Sequence, residues 1–198
     1  MSTQLPTDPS HQLTDARRVA APAVPRGIEI GLRPDSTLLD PWWVLRQTQH
    51  VPLPVNEVFQ FFSSAENLER LTPELLGFQI LTPGPIQMAV GTRIAYRLRV
   101  WGIPIRWLTG IEAWDPPHQF VDVQLRGPYQ HWRHLHRFEP AADGGTLMTD
   151  EVELQLPGGP LGAIAYALVV RRTLLEIFQF RAAALDRIVR STSFAAGA

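Results

Sequence analysis

From Thr92 to Leu156 the sequence repeats one pattern, a run of alternating, β-branched and aromatic residues followed by a tight turn. The runs are Thr92–Trp101, Ile105–Trp114, Gln119–Leu125, Tyr129–Phe138 and Thr146–Leu156, separated by WGIP, DPPH, RGP and ADGG. Connections this short cannot hold the crossover that parallel strands need, so the spacing predicts an antiparallel meander rather than βαβ units.

The flanks complete the outline. Trp42–Val51 reads as a first strand closed by Pro52 and Pro54, and VNEVFQFFSS then puts Val55, Val58, Phe59 and Phe62 on one helical face. A second short helix, Ala65–Leu71, stops at Thr72-Pro73, and Phe78–Thr82 is a short strand. Downstream, Leu161, Ile164, Leu168, Leu175, Phe178, Ala182, Leu185 and Val189 recur at helical spacing. That stripe covers about 30 residues, or roughly 45 Å of helix. A half-apolar sheet and one long amphipathic helix pack most simply on each other, which predicts an α+β fold. Residues 1–40, with Pro6, Pro9, Pro22, Pro25 and Pro34 and no lasting period, are predicted to be a flexible extension. Residues 41–190 form the expected domain, and 191–198 a disordered tail.

Composition removes several kinds of chemistry. All 18 basic residues are arginine, so a Schiff-base lysine and a P-loop ending in Gly-Lys are excluded. Without cysteine there is no disulfide, thiolate metal site or cysteine nucleophile. A formal charge of -1 lacks the basic excess of a nucleic-acid binder. The longest apolar run, Leu161–Val170, is half of what a transmembrane helix needs, and the N-terminus does not read as a secretory signal. A cytoplasmic protein is expected.

Side chains alternate across a sheet, so parity assigns faces. Trp132 and Phe138 must face the helix, and His134 and His136 share their parity. On the next strand Met148, Val152 and Leu154 bring Asp150 inward; one strand earlier, Phe120 brings Asp122 and Gln124. A five-residue connection from Pro140 to Gly144 would pair Phe138 with Thr146, His136 with Met148, His134 with Asp150 and Trp132 with Val152. On the outer face the same register sets Arg133 opposite Glu151 and His131 opposite Glu153. Arg171 and Arg172 interrupt the helix stripe. A solid core rarely buries so many polar groups, so they are expected to line a cavity under the helix; the alternative is a hydrogen-bonded His–Asp network in a filled core.

The stretch WDPPHQFVDVQLRGPYQHWRHLHRFEP and the following GGTLMTDEVELQLPGGPLG resemble the START-like, or SRPBCC, superfamily, over about residues 42–190. The likeness is closest to bacterial single-domain members carrying a W-x-H-x-H-x-F strand, here Trp132, His134, His136 and Phe138. A GT-x-M-x-D-x-V strand follows, here Gly145, Thr146, Met148, Asp150 and Val152. The resemblance implies a helix-grip: a curved antiparallel sheet of six to seven strands wrapped around a long C-terminal helix, with two short helices after the first strand. It also implies that inward sheet residues line a ligand site. One fold hosts many functions, so it supplies no shared catalytic set.

The expected function is binding of a small hydrophobic or amphipathic molecule, in the manner of a carrier or sensor. Tyr96, Leu98, Trp107, Phe120 and Trp132 would contact its apolar body; Asp122, Gln124, His134, His136 and Asp150 its polar end, with Arg171 near the mouth. The enzymatic alternative is an aromatase/cyclase or dehydratase in which His134 is the acid–base group and Asp150 its orienter. A third reading is an interaction adaptor using the outer-face arginines Arg97, Arg99, Arg106, Arg133 and Arg137. Neither a metal nor another cofactor is expected: His134-x-His136 with Glu139 departs from the cupin spacing, and Glu139 has the opposite parity. No nucleic acid is expected as a partner; a homodimer is one assembly open to the chain.

Overall fold

The computed structural model describes residues 27–37, 39–100 and 102–195. The extension up to residue 26, Trp101 of the WGIP turn and residues 196–198 of the tail lie outside them. One eight-stranded antiparallel sheet holds β1 (Ile28–Leu32), β2 (Trp43–Val51), β3 (Gln79–Ile80), β4 (Arg93–Val100), β5 (Ile103–Asp115), β6 (Gln119–Arg126), β7 (His131–Pro140) and β8 (Thr146–Gln155). Spatial order is β1-β2-β8-β7-β6-β5-β4-β3. The meander therefore runs consecutively from β3 to β8, and β2 returns to close on β8. Between β2 and β3 lie the helices α1 (Val55–Phe62) and α2 (Asn67–Arg70) and a 3₁₀ turn at Glu74–Leu76. The C-terminal helix is built of α3 (Pro160–Ala165), a π-helical turn (Tyr166–Val170) and α4 (Arg171–Ala195).

The eighth strand is a departure from expectation. β1 lies within the 1–40 segment assigned to a flexible extension, yet Ile28–Leu32 pairs residue for residue with Trp43–Gln47. Gly31 and the following Arg33-Pro34 disguise so short a strand. At the other end, helix continues through 191–195, so the expected tail is helical there.

The register between β7 and β8 is offset by two from the expected one. Phe138 pairs with Met148, His136 with Asp150, His134 with Val152 and Trp132 with Leu154. The cause is the turn: Pro140 stays in the strand opposite Thr146, and the five connecting residues are Ala141–Gly145, with Gly144 at φ 84°. An offset of two preserves every residue's face, so the inward set stands while its partners change. Outside, Arg133 opposes Glu153 rather than Glu151 and bonds Glu112 at 2.9 Å, while Arg46 takes Glu151. His131 opposes Gln155 rather than Glu153 and lies against the Trp42 ring.

The helix stripe is correct only in its second half. Phe178, Leu185 and Val189 are buried, but Leu174 takes the buried place expected of Leu175, and Leu161, Ile164 and Leu168 are exposed. The π turn holds one more residue per turn than an α-helix and rotates the phase, so Gly162 and Tyr166 face the sheet instead. On β5, a bulge at Glu112 lets both Ile111 and Trp114 face inward against strict alternation; Trp114 packs on Phe59 and Phe120.

Two apolar clusters divide the interior. One gathers Val51, Phe59, Phe62, Phe120, Phe138, Met148 and Leu185; the other gathers Trp43, Leu45, Val152, Leu154, Tyr166, Leu174 and Phe178. Several elements contribute to both clusters and place polar residues between them. β7 runs from Phe138 through His136 and His134, β8 from Met148 through Asp150 to Val152, and α4 from Leu185 through Arg181 to Phe178. β2 does the same with Gln49 and Gln47 between Val51 and Leu45, and both glutamines are buried. The core is thus interrupted by a polar layer, and the candidate site belongs to it.

Candidate functional site

The polar layer borders a cavity of about 290 Å³ between the sheet and the C-terminal helix. Of the residues singled out from sequence, Tyr96, Leu98, Trp107, Phe120, Asp122, Trp132, His134 and His136 line it. The aromatic wall is continuous: Trp107 stacks on Tyr96 with centroids 6.0 Å apart and meets Trp132 edge-on at 5.3 Å. The hydroxyl of Thr109 ties this wall together, accepting from Trp107 Nε1 at 3.1 Å and lying 3.0 Å from Tyr96 Oη. Asp150 lies behind the histidines, 3 % exposed, and does not line the cavity.

The expectation that Asp150 meets the ligand's polar end is corrected by this placement, and two further expectations are corrected with it. Gln124 faces inward, opposite Thr109, but it is used to close the β6–β7 turn: its Nε2 donates to the Tyr129 carbonyl at 2.7 Å, and its Oε1 accepts from the Tyr129 N–H at 3.2 Å. Gly127 sits against that side chain, where a Cβ would collide with the Gln124 amide. Arg171 is exposed at the start of α4 and outside the cavity lining. The cavity's arginine is Arg181, which sequence reading passed over in favour of its neighbour Ala182. Its signal was available: Arg181 lies three residues after Phe178 and four before Leu185, on the buried face.

The cluster has a definite internal order. Asp150 Oδ1 lies 3.0 Å from His134 Nε2, 2.8 Å from His136 Nδ1 and 3.4 Å from Arg181 Nη2. Asp122 Oδ2 lies 2.9 Å from His136 Nε2 and 3.7 Å from His134 Nδ1. Asp122 opposes His134 on the neighbouring strand. The two imidazoles stand 3.8 Å apart, His136 stacks on Phe120 at 4.1 Å, and the Arg181 guanidinium lies over the Phe62 ring at 5.0 Å.

Burial and charge act against each other here. Burial pulls His134 down to about 4, with the neighbouring His136 adding to the effect and Asp150 and Asp122 opposing it, so His134 is neutral at pH 7. Burial also disfavours charge on His136, but its bonds to Asp122 and Asp150 prevail and raise it. Burial likewise opposes the charge of Asp150, yet Arg181 and the two imidazoles hold its carboxyl well below the usual carboxylate range. Asp122 is lowered in the same way, by His136 and His134 against the cost of burial. Burial, and then the charge of Asp122, pushes the Tyr96 phenol upward. The nitrogen and oxygen atoms that Asp122, His134 and His136 could offer a metal lie within 4.8 Å of one another.

Among the described residues, no helix is long and apolar enough to cross a membrane. A sequence search of curated proteins gives no match. Solved structures do match. A protein from Thermus thermophilus superposes with TM-score 0.61 at 19 % identity, covering 76 % of this chain and 99 % of its own. A Mycobacterium smegmatis protein gives 0.58 at 18 %, covering 84 % and 99 %. A norcoclaurine synthase point mutant from Thalictrum gives 0.58 at 15 %, covering 78 % and 98 %. At such identities these likenesses establish the helix-grip fold. The family profile described as polyketide cyclase/dehydrase and lipid transport matches residues 43–190, nearly the whole span of the sheet and its helix. The chain belongs to that family, within the START-like superfamily.

Proposed function

We propose that this protein binds a compact amphipathic molecule, its apolar body against Tyr96, Leu98, Trp107 and Trp132 and its polar end at Asp122, His134, His136 and Arg181. The observation that carries this reading is the composition of the cavity: a continuous aromatic wall ends on a buried, ordered set of polar and charged groups. The volume, about 290 Å³, stands at the lower end of small-molecule pockets, roughly 300–1,000 Å³, and supports a small ligand over a long acyl chain. The test is native mass spectrometry of the purified protein, with extraction and identification of any adduct, then tryptophan quenching by a panel of aromatic acids, alcohols and hydrocarbons. Saturable quenching that is weakened by Trp132→Ala supports the reading. Failure of the whole panel returns the cluster to a buried structural network.

A second reading, acid–base catalysis of the cyclase or dehydratase type, is favoured by one specific arrangement. His134 lines the cavity, with Asp150 3.0 Å behind its Nε2. A neutral imidazole can accept a proton, although one held near 4 is a weak base at pH 7. Loss of turnover with retained ligand affinity in His134→Gln would support this chemistry. The adaptor reading has less behind it, because Arg133, central among its outer-face arginines, is already paired with Glu112.

A further inference from the structure

The two imidazoles present their four nitrogens in an ordered way. The rear pair, His134 Nε2 and His136 Nδ1, both address a single oxygen, Asp150 Oδ1, at 3.0 and 2.8 Å, and Arg181 Nη2 also lies 3.2 Å from His136 Nδ1. The forward pair, His134 Nδ1 and His136 Nε2, both face a different carboxylate oxygen, Asp122 Oδ2, at 3.7 and 2.9 Å. A metal site uses such a division: ligating histidines usually give their remote N–H to a carboxylate, which fixes tautomer and ring orientation. Ligand atoms on a tetrahedral ion with bonds of about 2.0–2.1 Å stand roughly 3.3 Å apart. The two distances seen here lie on either side of that value.

Charge agrees with geometry. Arg181 stands on the Asp150 side, 3.4 Å from the same Oδ1, so it pairs with the rear carboxylate and reaches the forward one only through its longer-range charge. Two imidazoles and one carboxylate then face a common point. Asp122, His134 and His136 all line the cavity, whereas Asp150 does not, so the fourth position at that point opens onto the proposed ligand space.

We propose that Asp122, His134 and His136 form a divalent transition-metal site of two imidazoles and one carboxylate, with Asp150 as the carboxylate that orients both imidazoles and an open position toward the cavity. With the ion, the neutral imidazoles, Asp122, Asp150 and Arg181, the cluster carries one net positive charge. An anionic oxygen at the open position would cancel it. This last step rests on the ligand-binding reading and narrows the ligand to amphiphiles with an oxygen-donor head; the metal site itself stands apart from it.

The test uses full-length protein stripped with a chelator and dialysed, titrated with zinc chloride in the absence of any organic ligand. One equivalent of zinc should bind, and X-ray absorption at the zinc edge should show two imidazoles and an oxygen shell. Asp122→Asn and His134→Gln should each weaken binding roughly a hundredfold, and Asp150→Asn roughly 10–100-fold at unchanged stoichiometry. His118→Gln, an exposed position, is the control and should bind as the parent does. No zinc uptake by the folded parent overturns the proposal. So does a coordination shell with fewer or more than two imidazoles, a measurement that needs no variant, and so does undiminished affinity in folded Asp122→Asn or His134→Gln. Aromatic acids titrated into the stripped protein test the ligand reading separately. Zinc binding without amphiphile binding leaves the metal site and removes the pocket reading; the converse removes only the metal.

Discussion

Replacing Asp150 by Asn tests whether the polar layer is a true buried ion network. Asp150 is 3 % exposed, and its Oδ1 lies within ion-pair reach of His134, His136 and Arg181. The amide keeps the shape and removes the charge. Arg181, whose side chain is only 11 % exposed, is left without its carboxylate and cannot release its proton. Breaking a buried pair from one side costs about 3–5 kcal/mol, against a usual total stability of about 5–15 kcal/mol. At about 2–4 °C per kcal/mol, the melting temperature should fall by something on the order of 6–20 °C.

The assay is urea unfolding followed by tryptophan fluorescence, with the slope checked for constancy. A loss under about 1 kcal/mol would refute the reasoning, because it would mean that water or rearrangement already screens the pair. A companion variant separates charge from packing. In Asp150→Leu/Arg181→Met both ionic partners become apolar, and such replacements are often neutral or stabilising. The double variant should therefore be more stable than the sum of the single losses predicts, with a coupling of at least about 2 kcal/mol.

Further tests probe the elements around the site. Phe138→Ala should cost about 3–5 kcal/mol in urea unfolding, since its fully buried ring touches Phe59, Phe62 and Phe120. Gln49→Leu should cost about 1–3 kcal/mol, because Gln49 Nε2 donates to the Ala182 carbonyl at 3.1 Å and to Asp186 at 2.9 Å and so ties β2 to α4. The three tyrosines give a pH prediction. Burial raises Tyr96 and Tyr129 and lifts Tyr166 to about 12. The native state then keeps phenolic protons that the unfolded chain loses near pH 10, so stability falls as pH rises above about 10. Ultraviolet titration at pH 11 should show little phenolate in folded protein and full ionisation in urea.

Much of this architecture was legible because side-chain alternation is a strict geometric rule. It placed His134, His136, Asp122 and Asp150 on one face before any pairing was known, and a two-residue error in register could not remove them. Pairing depended on where a turn begins, and Pro140 looked like a turn residue while still serving opposite Thr146. Helix phase was less secure. One π turn at Tyr166–Val170 was enough to expose Leu161, Ile164 and Leu168 and to make the nominal stripe point at solvent. That same assumption of a continuous period drew attention to Arg171, which is exposed, and away from Arg181, which reaches Asp150. β1 was missed because a five-residue edge strand flanked by glycine and proline carries almost no periodic signal.

The position of the charged groups argues for a task beyond holding the fold. The two apolar clusters approach the polar layer from both sides, and β2, β7, β8 and α4 each pass from one cluster to the other through it. An apolar layer would join the clusters into one core with no desolvation cost, and ion pairs placed in such a setting do not generally repay that cost. Where the layer reaches the cavity, it presents Asp122, His134, His136 and Arg181 beside the aromatic wall. Asp150, which does not reach it, is spent entirely on orienting the others. Support for a set of groups aimed at one point is what a site requires, and what a merely satisfied core does not.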